Sequence, residues 1–268
     1  MIPGHGRPFT DVKQALKEAG YSTAHFGKWH LGHNLKDGDR YEPKDQGFDS
    51  DFPHTPAAPG PGGGYLAPWK FIKDPTITDD VGVNIEDRMS KEAAKYIAAH
   101  KDKPFFLYYA SPLPHVALQV PAEELKQYEG VIKEDAPYAP QKGGYSPNRT
   151  PRTTYAAMIS RLDKEVGRIL AALEQAGVAD NTIIVFSGDN GATHDAGGVD
   201  TKYFNSAGGL KGLKGSLHEG GVREPTVVRW PAGIKAGTRS HRISGFEDWF
   251  ATFAELAGST TPAKAAFL

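Results

Sequence analysis

The chain contains no cysteine. A disulfide framework, a thiolate nucleophile and a cysteine-ligated metal are therefore excluded. Neither sign of charge is in excess, since 31 Lys and Arg stand against 32 Asp and Glu for a net charge of -1. Nucleic acid and anionic membrane surfaces find no electrostatic footprint here. No apolar run approaches the roughly 20 residues that cross a bilayer, and Met1 to Arg7 lack the apolar centre of a signal peptide. Turn formers are plentiful instead: 31 Gly and 20 Pro imply many loops. The 268 residues suffice for one large α/β domain or two small ones.

Spacing predicts a helix over 11–19, with Val12, Ala15, Leu16 and Ala19 on one face, Thr10 at the N-cap and Gly20 as terminator. A strand follows over 22–26. Residues 33–80 are polar, rich in Gly and Pro, and read as a long excursion with little regular structure. A helix is expected over Ile85 to His100, with Met89, Ala93, Tyr96 and Ile97 as its stripe. The run Phe105 to Ala110 has the pattern of a strand buried on both faces, part of the core rather than a stacking platform. Residues 112–152 read as loop. The clearest helix spans 153–176, striped by Tyr155, Met158, Ile159, Leu162, Val166, Ile169, Leu170 and Leu173, and closed by Gly177. A second apolar strand over 181–187 ends in Gly188-Asp189-Asn190-Gly191, and a glycine-rich loop continues to Gly221. A third strand is expected over 225–230. A last helix over 248–257 turns Trp249, Phe250, Phe253 and Leu256 inward. Helices alternating with apolar strands predict an α/β fold: a mostly parallel or mixed central sheet with helices on both faces.

In such sheets ligands bind beyond the carboxyl ends of the strands, and the chemistry-bearing residues of this chain sit there. Lys28 and His30 follow the first strand, two residues apart and so on one face of an extended chain. His115 follows the aromatic strand, and Asp189 and Asn190 follow the Ile-Ile-Val strand. Lys214 and Glu219 lie in the glycine-rich loop. Asp189 and Asn190 offer hard oxygens suited to Ca²⁺ or Mg²⁺. Lys28 and Lys214 are point charges for a tetrahedral oxyanion, and His30 and His115 can move protons near neutral pH. This set suits hydrolysis of a sulfate or phosphate ester.

Gly20-Tyr21-Ser22-Thr23-Ala24-His25-Phe26-Gly27-Lys28-Trp29-His30-Leu31-Gly32, the Pro114-His115 loop, Ser187 to Gly191 and Lys214 to Gly221 occur in that order. On these segments the chain resembles the formylglycine-dependent sulfatases (arylsulfatases) of the alkaline-phosphatase superfamily, over nearly its whole length. The resemblance implies the alkaline-phosphatase-like fold and a sulfuric-ester hydrolase acting on a small-molecule or saccharide sulfate ester, with neither nucleic acid nor membrane as partner. It implies Ca²⁺, or Mg²⁺, held in part by Asp189 and Asn190. It implies Lys28, His30, His115 and Lys214 around the sulfate, with His30 as the base that collapses the sulfated intermediate. His115 and Lys214 would assist the leaving group. Thr193 to Leu210 is similar to arylsulfatases of the polysaccharide-degrading type, with His194 as a substrate contact. A periplasmic or secreted location is the family expectation.

The family's Cys/Ser-x-Pro-x-Arg signature, source of formylglycine, does not occur in these residues, nor does the family's Asp-Asp strand end. The expectation is one sulfatase-type catalytic domain over 1–268, truncated at both ends and short of the smaller C-terminal subdomain. Two alternatives stand beside it: an inactive fragment or pseudoenzyme that binds anions, and a phosphodiesterase or phosphonate hydrolase of the same superfamily. Val116-Ala117, His218 and Glu224 depart from the family pattern and are expected to lie away from the site. Arg223 with Glu219 reads as a structural pair. His5, His25, His33, His54, His100 and His241 read as non-catalytic.

Overall fold

The structure, a computed structural model, describes residues 12–29, 43–44, 46–52, 64–66, 83–140 and 144–259. Among these, α1 (Val12–Glu18) leads into β1 (Ser22–Gly27), then β2 (Ser50–Phe52) and α2 (Ile85–His100). After β3 (Phe105–Ala110) come a short α3 (Ala122–Leu125) and the long α4 (Pro151–Gln175). The chain continues through β4 (Ile184–Ser187), the single turn α5 (Glu219–Val222), β5 (Thr226–Arg229) and α6 (Phe246–Leu256).

The strands form a parallel sheet in the order β2-β1-β3 and a separate antiparallel pair, β4-β5. The side-chain alternation of β1 and β3 explains why helices cover both faces of the parallel sheet. Ala24 and Phe26 of β1 pack with Phe105, Leu107 and Tyr109 of β3 under Ala93 and Tyr96 of α2. The opposite faces carry Phe106, which meets Phe253 of α6, and His25, whose ring is set among Trp29, Phe48 and Tyr108. α4 packs outside α2, and Met89, Tyr155 and Met158 join the loop residues Leu113, Val116 and Leu118 in the main core.

Several sequence expectations change at this level. β2 lies inside the segment read as irregular; three residues are too few for a periodicity to declare itself. The strands read as wholly buried are half-covered, with Tyr108 49 % and Phe186 42 % exposed. Among the described residues β3 pairs only with β1 and β4 only with β5. Leu256 is exposed, and Ala254 with Phe250 takes the inward face of α6 against Ala15 of α1. On α4, Ile159 is exposed while Arg161 and Glu165 are buried. That inversion has an electrostatic cause: Arg161 meets Asp87 at 2.6 Å and Glu124 at 3.0 Å, and Arg168 meets Asp87 at 2.5 Å and Glu165 at 2.8 Å. Charges can occupy a helix's inner face when each finds a counter-charge there.

Candidate active site

Lys28 follows β1 immediately, and its backbone N–H donates to the Ala110 carbonyl, 2.8 Å away at the end of β3. Gly27 makes the close approach available. It has φ +112°, and a Cβ built on it would lie 2.1 Å from the Ala110 oxygen and 2.8 Å from the Met89 methyl. Only glycine meets both demands. His115 closes a turn after β3, its N–H donating to the Pro112 carbonyl at 2.9 Å. Its Nδ1 donates to the Val116 carbonyl at 2.5 Å. A carbonyl only accepts, so the ring proton is on Nδ1 and the neutral imidazole leaves Nε2 as an acceptor.

Asp189 and Asn190 follow β4, and the glycine-rich loop closes on them. Gly191 donates to Gly221 O at 2.9 Å, and Lys214 donates to Ala192 O at 2.7 Å. A Cβ on Gly191 would lie 2.2 Å from the Gly220 carbonyl, so the two backbones touch because neither carries a side chain there. Asp189 is exposed and Asn190 half-buried. The Asn190 side-chain amide donates to the Gly191 carbonyl at 2.9 Å.

Four of the sequence-derived residues act on one another electrostatically. Burial holds the Lys28 ammonium below its ordinary pKa; the Asp189 charge opposes this and the Lys214 charge adds to it. Burial likewise lowers the His115 imidazole, the Val116 carbonyl opposes this, and Lys214 and Lys28 lower it further against Asp189. The charges of Asp189 and Lys214 thus reach both Lys28, after β1, and His115, after β3. His30 lies outside the described residues. His194 is exposed, and its backbone carbonyl accepts a long 3.5 Å hydrogen bond from the Thr193 hydroxyl.

Two residues join the site unannounced. Burial raises the Tyr108 hydroxyl and the Glu224 carboxyl, and in both the Asp189 charge adds to the effect. Glu224 lies against Gly188, its Oε2 2.2 Å from where a Cβ would stand. The expectation that the acid before Pro225 stays away from the site is corrected, because α5 turns the chain back over Gly188. An acid in a position that tolerates an apolar residue was the available signal. Arg223 and Glu219 are the expected pair, 3.1 Å apart on the surface, and the His100 Nδ1 is tied to the Tyr96 carbonyl at 2.8 Å.

The donors present do not by themselves fit a Ca²⁺ ion. Asp189 and Asn190 supply hard oxygens, but Ca²⁺ takes about 6–8, and the described residues contain no group of three or more metal-ligating acids or histidines.

The fold is mixed α/β, a parallel sheet with helices on both faces and a separate antiparallel pair. Residues 3–259 match the family model described as Sulfatase. The chain belongs to the sulfatase family. It is 32% identical over 259 residues to arylsulfatase J of Mus musculus, covering 92% of this chain and 38% of that protein. It is 30% identical to N-acetylgalactosamine-6-sulfatase of Rattus norvegicus, covering 94% of this chain and 45% of that one. The chain thus spans under half the length of these curated relatives. Among solved structures, Ps i-CgsB in complex with k-i-k-neocarrahexaose superposes with a TM-score of 0.72 at 28% identity, covering 95% of this chain and 54% of the other. The phosphonate monoester hydrolase SpPMH from Silicibacter pomeroyi shares the fold, with a TM-score of 0.62 at 16% identity and coverage of 94% and 58%.

Proposed function

We propose that this chain carries the anion-binding and leaving-group side of a sulfate-ester hydrolase site, with a saccharide or aryl sulfate as substrate. The observation that supports it most is the mutual electrostatic influence of Lys28, His115, Asp189 and Lys214. Lys28 and Lys214 flank the bound sulfate and neutralise oxygen charge that builds as the ester bond lengthens. His115, neutral with its proton on Nδ1, presents Nε2 to the ester. Protonated there, it gives that proton to the departing oxygen. Asp189 opposes the lowering of the Lys28 pKa and so favours its charged ammonium. His30 is assigned to proton abstraction on the family pattern alone. The family's formylglycine would supply the nucleophile, but its precursor signature does not occur in these 268 residues.

The phosphonate monoester hydrolase fold likeness makes an aryl phosphonate the rival ligand. The test is competitive binding of nitrophenyl sulfate and nitrophenyl phenylphosphonate to the purified chain. Tighter binding of the sulfate, weakened about tenfold by removing one charged hydrogen bond in Lys214→Ala, supports the proposal. Preference for the phosphonate, or no change in the variant, refutes it.

A further inference from the structure

The His115 turn is fastened from beneath by a carboxylate that the chemistry above does not use. Glu86 is fully buried in the first turn of α2, and Asn84 caps that turn, its side chain accepting the Glu86 N–H at 3.0 Å. One Glu86 oxygen accepts from the Ser111 hydroxyl at 2.9 Å and the other from the Tyr109 hydroxyl at 3.1 Å. The Ser111 oxygen in turn accepts the Leu113 N–H at 3.1 Å. On the other side of the turn, the Tyr65 hydroxyl lies 2.8 Å from both the Pro112 and the His115 carbonyls, with one proton to share between them. Tyr65 is itself anchored beside Glu86, its carbonyl accepting the Ile85 N–H at 2.8 Å.

We propose that Glu86 is a positioning residue for His115, acting through Ser111, with the Tyr65 hydroxyl closing the same turn from the other side. A buried carboxyl group with both oxygens accepting hydrogen bonds is a rigid anchor, because releasing either hydroxyl leaves a buried acceptor unsatisfied. Ser111 is the relay, since its one hydroxyl joins the anchor to the backbone two residues before His115. The inference rests on the reading of His115 as a site residue but not on any turnover.

The test follows the His115 imidazole by proton NMR across pH, the signal being assigned by its loss in His115→Ala. In the parent chain the ring is expected to titrate below the ordinary value of 6.5. Ser111→Ala and Glu86→Leu free the turn, hydrate the ring and move the midpoint up toward that value. Glu86→Gln, whose amide oxygen still accepts from Ser111, leaves it in place. Asp49→Asn is the control: its carboxylate accepts from Thr23 at the start of β1 and pairs with Lys17, away from the turn, so it lowers the melting temperature without moving the His115 midpoint. A folded Ser111→Ala chain with an unchanged midpoint overturns the proposal, as does an Asp49→Asn shift of equal size. If Glu86→Leu fails to fold, Ser111→Ala decides alone. A null result in ester binding would count against the function proposed above and leave this outcome standing.

Discussion

Arg161, its side chain 1% exposed, is enclosed by Asp87, Glu124 and Glu165 at 2.6, 3.0 and 3.7 Å. Removing the guanidinium leaves Glu124 without its counter-charge and Asp87 and Glu165 with Arg168 alone, and such half-removed buried pairs cost about 3–5 kcal/mol. Arg161→Ala should lower the unfolding free energy by that amount in a urea titration; a loss below about 1 kcal/mol would contradict the network's role. Glu86 makes a separate prediction. Burial pushes its carboxyl up to about 7, opposed by the Ser111 and Tyr109 hydrogen bonds and aided by the Glu165 charge. Its folded pKa exceeds its unfolded one, so the stability it contributes is complete below pH 4.5 and is lost as pH rises through about 7. The stability difference between the parent and Glu86→Gln should therefore be more favourable to the parent at pH 5 than at pH 7. A pH-independent difference would show that Glu86 does not titrate in this window.

At the scale of elements, the joint between β1 and β3 places Lys28. Gly27 sits at φ +112° with its open side against the Ala110 carbonyl. Gly27→Ala combines an unfavourable dihedral with a backbone clash and should cost about 2 kcal/mol or more. Because the joint also carries the Lys28 N–H bond, the variant should lose ester binding along with stability, which paired melting and binding measurements check. Much of this element was legible in the sequence. The glycine, the lysine and the strand before them form one continuous signature, and the helices over 85–100 and 151–175 announce themselves by period. Asp189 and His115 were picked out because each follows an apolar strand, and Lys214 by its place in the glycine-rich loop and the family resemblance; their roles remain part of the proposal. Glu86, Arg161 and Tyr65 were not, because a buried polar residue is justified by partners distant in sequence, and Glu86 finds its hydroxyl partners 23 and 25 positions away. Glu224 reaches Gly188 only through the turn of α5. The short β2 gave no periodic signal.

For the whole molecule, the two sheets do not pair with each other among the described residues. The second sheet and α6 expose Phe186, Val227, Phe246 and Leu256. In the proposed site the two sheets converge through charge: β1 brings Lys28, the β3 turn brings His115, and β4 with the glycine-rich loop brings Asp189 and Lys214. Membership of the sulfatase family rests on residues 3–259, while the chemistry rests on that convergence. Titration of the chain with inorganic sulfate, followed by calorimetry at several pH values, tests it most directly. Because His115 is held below its ordinary pKa and gains a positive charge only on acidification, sulfate should bind at one site and tighten as pH falls below about 6.5. Loss of that binding in both Lys28→Ala and Lys214→Ala is the expected companion result. Absence of saturable binding, or an affinity indifferent to pH and to both lysines, would contradict the account.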